Sequence, residues 1–146
     1  MVQKSNSIIV GIVSRFMAPF IQLFALYVIA HGHYSPGGGF QGGALLGASI
    51  LLLRLTVGDK GSELVFKKEF GTPLSGFGVF IYAAVGVLAM IGGGLYLDYG
   101  SLPFAGMTPA ELRSLGILLV ETGVGIGVMA TVIAIFDDLT MRHFRD

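Results

Sequence analysis

Cysteine is absent from the 146 residues. That excludes a disulfide, a thiolate metal site and iron–sulfur ligation by this chain. Charge is scarce as well: Asp, Glu, Lys and Arg make up 12%, about half the quarter expected of a soluble domain. The formal net charge is zero and the pI about 6.8, so nothing draws the chain to nucleic acid electrostatically. No Gly-Lys-Ser/Thr follows the glycine-rich stretch near residue 38, which excludes a phosphate loop. What is present in excess is apolar. Hydrophobic residues reach 53% and the mean hydropathy is +0.80. With the few charges gathered between long apolar runs, this is a membrane composition. The 23 glycines then indicate close helix packing, because small residues let backbones approach in lipid.

The fold class expected is all-α: a polytopic membrane protein of four transmembrane helices, forming a single domain over residues 1–146. The spans are placed at about Ile8–Ala30, Gly42–Val57, Leu74–Leu97 and Gly116–Phe136. Each approaches the ~20 residues that cross ~30 Å of hydrocarbon. Such continuous aliphatic runs exclude the alternating strands of an outer-membrane barrel. The small-residue pattern Val28-Ile29-Ala30 resembles a signal cleavage site, but the apolar run before it is too long and contains Arg15, so the first helix is read as retained. Thr108-Pro109-Ala110-Glu111 reads as a helix start, with Thr108 and Glu111 as a capping box and Pro109 in the first turn. Glu63 and Lys67 are four apart, as are Phe66 and Phe70, which predicts a short helix on the membrane surface between the second and third spans.

Orientation follows from Lys and Arg. Lys4, Arg15, Arg54, Lys60, Lys67, Lys68, Arg142 and Arg145 fall on one side, and Arg113 alone on the other. Both termini are therefore expected in the cytoplasm of a prokaryotic cell, with the chain multi-pass in its inner membrane. Tyr34, Tyr96 and Tyr99 are then expected at the outer interface.

Two features are candidates for chemistry. The outer stretch His31-Gly-His-Tyr-Ser-Pro-Gly-Gly-Gly-Phe-Gln-Gly-Gly43 breaks the helical pattern, and irregular backbone at membrane depth is tolerated when buried in protein or lining water. It reads either as part of an ion or proton entrance, or as a tight hairpin whose glycines serve backbone geometry. His31 and His33 lack a third metal ligand, so no metal is expected. Glu121 is the second feature, the one carboxylate inside a span. A charge there costs at least ~2.5 kcal/mol unless it is paired, hydrated or protonated. It is a functional candidate, with a structural hydrogen-bonding glutamate as the alternative.

Depth suggests which groups meet. Gln22 is roughly 21 Å from the inner edge of the first helix and Glu121 roughly 22 Å from the inner edge of the fourth, at 1.5 Å per residue. Gln22 and Glu121 are expected level with one another. Arg15 is about 10 Å in, where it either snorkels or pairs with Asp137, Asp138 or another chain. Snorkelling is also expected of Arg54. On the fourth helix Gly116, Gly123, Gly127, Ala130 and Ala134 form a small-residue seam, with Glu121 on a different face. The second helix has its own seam of Gly43, Gly47, Ala44 and Ala48. So many faces asking for protein predict a subunit of a larger complex.

The His31–Gly43 stretch resembles the signature of the MrpB (MnhB) family, small subunits of multi-subunit Mrp sodium/proton antiporters. Related subunits occur in Mrp-derived respiratory complexes such as membrane-bound hydrogenases. Gly32, His33, Pro36, Gly37, Gly38, Gly39, Phe40, Gly42 and Gly43 match the family pattern in place. Leu119-Val120-Glu121-Thr122-Gly123 is similar to the family's last helix. The resemblance implies a supporting, non-catalytic role in sodium passage and assembly, with other membrane subunits and the lipid bilayer as partners, Na+ and H+ as the ions, and no cofactor. This chain lacks the intramembrane lysine of the large proton-moving subunits. The resemblance makes His33, Pro36, Phe40 and Glu121, beside Gln22, the candidates for ion-path or coupling roles. Gln41 and Leu97–Pro103 look more like the hydrogenase-type versions.

Three functions thus compete: a subunit of a cation/proton antiporter, a membrane-arm subunit of a ferredoxin-linked redox complex, and a purely structural helix bundle. No nucleophile, metal set or cofactor loop converges to suggest an autonomous enzyme.

Overall fold

The computed structural model describes residues 7–32 and 37–142. These residues are helical or in turns, without a strand. The chain forms α1 (Ile8–Ala30), α2 (Gly39–Val57), a one-turn α3 (Asp59–Ser62), α4 (Gly71–Ile91) and α5 (Pro109–Arg142), with short 3-10 turns at Lys68–Phe70 and Tyr99–Ser101. Four of these, α1, α2, α4 and α5, are long and apolar enough to cross a membrane. The protein is a multi-pass membrane protein.

The first span lies where the hydropathy places it; the others differ at their ends for identifiable reasons. The α2 helix begins three residues before Gly42, because Gly39, Phe40 and Gln41 are already helical beyond a Gly38 of φ +101°. Glycine contributes little hydropathy, so the apolar run alone starts late. The α4 helix starts at Gly71 instead of Leu74, and stops at Ile91 although Leu95, Tyr96 and Leu97 continue the apolar run. Gly93 takes φ +90°, and the Gly93 and Gly94 amides donate to the carbonyls of Met90 and Ala89, a Schellman closure that glycine favours. The α5 helix starts on its capping box. Glu111 Oε2 accepts from the Thr108 amide at 2.7 Å, while Thr108 Oγ1 accepts from the Glu111 amide at 3.4 Å.

The surface helix predicted around Glu63–Phe70 does not form as a continuous element. Only Asp59–Ser62 and Lys68–Phe70 are helical. The reason is Arg54. Its Nη2 donates to the Phe66 carbonyl at 3.2 Å and its Nη1 to Ser62 Oγ at 3.3 Å, which folds the connection inward and takes up a carbonyl that a helix would use.

The four spans form an open row in the order α1, α2, α5, α4. The α2 helix packs against α1 and α5, α5 packs against α4, and among the described residues α4 has no close backbone approach to α1 or α2. Glycine sets the close approaches. A β-carbon on Gly78 of α4 would lie 2.5 Å from the Gly123 carbonyl oxygen and the Gly127 amide nitrogen of α5. One on Gly43 of α2 would lie 2.9 Å from Gly125 Cα, and one on Gly42 would lie 2.8 Å from the Ala25 carbonyl oxygen of α1. The α5 seam is therefore used within the chain: Gly123, Gly127 and Ala134 face α4, while Gly125 faces α2. What remains open is the outer surface of the row, where Ile9, Phe16, Phe20, Leu23, Phe24 and Tyr27 of α1 are exposed. Such side chains suit hydrocarbon or another membrane protein.

The long connection between α4 and α5 packs rather than hangs free. At the end opposite to the start of α1, its residues fold back over the helices. Val85, Ala89, Leu102 and Leu112 are buried together, with Tyr99 packed against them. Gly116 leaves room for the Tyr99 ring, and Gly86 for that of Tyr96.

Candidate functional site

The Glu121 side chain and the glycine loop meet. A β-carbon at Gly32 would lie 2.6 Å from the Glu121 carboxyl carbon and 2.5 Å from Gly38 Cα. One at Gly38 would lie 2.7 Å from Glu121 Oε1. One at Gly39 would strike the Glu121 carbonyl oxygen and come within 2.8 Å of its Cα. Three glycines thus wall this residue, and Glu121 Oε2 is buried. Gly37 at φ +154° and Gly38 at φ +101° give the backbone the path that brings α2 onto α5 directly after the turn.

Glu121 therefore stands beside the C-terminal end of α1. That corrects its expected level with Gln22. Gln22 is eight residues before the end of α1 at Ala30, about 12 Å along the axis. It lines a separate cleft with Arg15 and Pro19. The depth count takes Phe136 as the inner end of the last span, whereas α5 continues to Arg142. Six further residues add about 9 Å.

Of the remaining loop residues, Gly42 abuts α1 and Gly43 abuts Gly125 of α5. Phe40 does not join Glu121's enclosure of glycines. It is 66% exposed and borders a groove of about 490 Å³ over α5, with Tyr82 and Val79 of α4 across from it. His33 and Pro36 lie outside the described residues, as does Tyr34. His31 is engaged locally: its Nδ1 is 3.1 Å from the Tyr27 carbonyl, and its ring stacks on Tyr27 at 4.2 Å. Because a carbonyl only accepts, Nδ1 carries the proton in that bond. Among the described residues no group of three His, Asp or Glu side chains stands close enough to hold a metal.

Sequence reasoning misses the packing of Tyr99, which lies against Val85, Ala89, Leu102 and Leu112. Burial raises the pKa of its hydroxyl, and Tyr82, Glu121 and Tyr96 add to the rise through their charges. Its phenol therefore stays neutral over a wider pH range than usual. The aromatic residues of the 92–108 loop are legible as interface anchors, but not their packing against Gly86 and Gly116 of the spans.

The second missed feature is ionic. Arg54 does not snorkel, as the sequence leads one to expect. Its side chain is fully buried, and Nη2 lies 2.8 Å from Asp137 Oδ2, on a side chain itself 4% exposed. The ion pair joins the end of α2 to the end of α5, far from Glu121 on the same helix. The only signal in the sequence is a basic residue near one helix end and Asp137-Asp138 near another. Asp137, by depth a candidate partner for Arg15, is taken by Arg54.

In apolar surroundings a carboxylate is stable only when protonated, paired with a cation, or hydrogen-bonded.

Nearly the whole length of the four spans has counterparts in known proteins. A family model described as a domain related to the MnhB subunit of Na+/H+ antiporter matches residues 9–134. The chain is 31% identical over 137 residues to a Bacillus subtilis protein named as a Na(+)/H(+) antiporter subunit, covering 89% of this chain and 95% of that one. It is 29% identical over 136 residues to the protein of the same name from Alkalihalophilus pseudofirmus, covering 88% and 94%. The glycine loop, the glycine-walled acid and the four-span layout all fall within the matched region, and the chain belongs to the MnhB family.

Proposed function

We propose that this chain is a non-catalytic membrane subunit of an Mrp-type multi-subunit monovalent cation (Na+)/proton antiporter, contributing to both the ion path and the assembly. Its relatives are named as antiporter subunits and align over nearly their full length, which supports the antiporter reading over the redox-complex and purely structural ones. The observation that carries the ion-path part is the Glu121 carboxylate enclosed by Gly32, Gly38 and Gly39. Both termini lie in the cytoplasm of a prokaryotic cell on this reading, supported by the eight basic residues on that side against one. The other membrane subunits of the antiporter are its partners.

The test is Glu121→Gln in the assembled complex. The amide keeps the size and one acceptor oxygen but can neither carry charge nor release a proton. Sodium-dependent proton exchange in inverted vesicles should fall while the complex remains assembled. Unchanged exchange in an intact complex leaves only a structural role for Glu121.

A further inference from the structure

A cleft of about 350 Å³ opens between α1, α2 and the segment after α3. Its walls are mostly apolar, from Ala18, Pro19, Leu53, Val57, Leu64 and Val65. Arg15 lines it as well and is exposed. Among the described residues Arg15 has no carboxylate partner, because Asp137, the buried acid at this end of the row, is held by Arg54. The cleft thus joins hydrocarbon walls to one unbalanced cation.

Its position matters as much as its lining. Arg15 is seven residues into α1, about 10 Å along the axis, within reach of the headgroup layer for a snorkelling side chain. Leu64 and Val65 are 90% and 54% exposed at a chain reversal, as apolar tips that dip into a membrane surface are. Leu64 also borders a hollow lined by Lys67 and Lys68, where Glu63 and Glu69 offset the two lysines. Among the described residues, Arg15 by contrast lines its cleft with no acid beside it.

Two anionic occupants fit a guanidinium here: a lipid phosphate, or an acidic side chain on a neighbouring helix. The lining decides between them. A carboxylate would satisfy Arg15 alone and leave the apolar walls at Ala18, Pro19, Leu53 and Val57 uncovered, whereas an anionic lipid brings a phosphate and the upper part of an acyl chain together. Basic pockets between membrane helices near the surface favour anionic headgroups.

We propose that this cleft is a binding site for one anionic phospholipid. An acyl chain lies along Ala18, Pro19, Leu53 and Val57, and the phosphate pairs with Arg15. The site is separate from Glu121 and does not depend on the ion-path reading.

The experiment is native mass spectrometry of the purified complex, titrated with phosphatidylglycerol and, separately, with phosphatidylcholine. In the unaltered complex phosphatidylglycerol should be retained preferentially. Arg15→Gln should weaken that retention about fivefold, the effect of one surface cation, and Arg15→Lys should restore most of it. Phosphatidylcholine retention should not respond. Equal phosphatidylglycerol retention by the unaltered and Arg15→Gln complexes overturns the proposal. So does loss of a neighbouring subunit from Arg15→Gln with lipid retention intact, which would make the occupant a protein carboxylate.

Discussion

Arg54 and Asp137 are 83 positions apart in the chain and form an ion pair of 2.8 Å that is almost wholly buried. The same guanidinium holds the Ser62 hydroxyl and the Phe66 carbonyl. One side chain therefore fastens α2, α5 and the connection to α4 at a single point.

Breaking the pair from one side leaves an uncompensated buried charge. Asp137→Ala should destabilise the protein by about 3–5 kcal/mol. It should also release the Ser62–Phe66 connection, visible as faster proteolysis there. The double variant Arg54→Met, Asp137→Leu removes both charges and should recover most of the thermal stability in detergent. A single variant as stable as the unaltered protein would show that the pair does not hold the fold.

Glycine at position 39 is required by the backbone of α5. A β-carbon there would strike the Glu121 carbonyl oxygen, and no rotamer change relieves a collision with backbone. Gly39→Ala should push α2 away from α5 and reduce the yield of assembled complex severely. Gly76→Ala on α4 is the control, because nothing lies within 4 Å of its added carbon. In a helix that change should be neutral or stabilising by up to about 1 kcal/mol. Thermal unfolding of the two variants side by side checks both halves.

The absence of native cysteine makes the α4–α5 contact directly testable. Ser75 Oγ and Thr131 Oγ1 are 2.7 Å apart. The double variant Ser75→Cys, Thr131→Cys should form an intramolecular disulfide on mild oxidation, read as a shift in gel mobility that reductant reverses. Adding Gly78→Ala, whose β-carbon would meet Gly123 and Gly127 backbone at 2.5 Å, should separate the helices and sharply lower the cross-linking yield. Efficient cross-linking in the triple variant would contradict the packing described.

What could be read along the chain is what acts locally. Four apolar runs dictate four spans, because hydropathy and length act along a single helix. Thr108 and Glu111 dictate where α5 begins, because a capping box closes within four residues. The family pattern in the glycine loop is legible for the same reason. Glu121 stands out because a lone carboxylate in hydrocarbon is costly wherever its neighbours lie.

Relations between helices came only with the folded chain. Depth counted from an assumed helix end puts Glu121 beside Gln22; contacts put it beside Gly32, Gly38 and Gly39. Register between two helices depends on which glycine backbones interlock, and neither helix encodes that separately. Arg54 likewise reads as a snorkelling side chain, yet α5 brings Asp137 to it. A long basic side chain near a helix end can reach water or a buried acid equally well, and only the fold sets the acid 2.8 Å away.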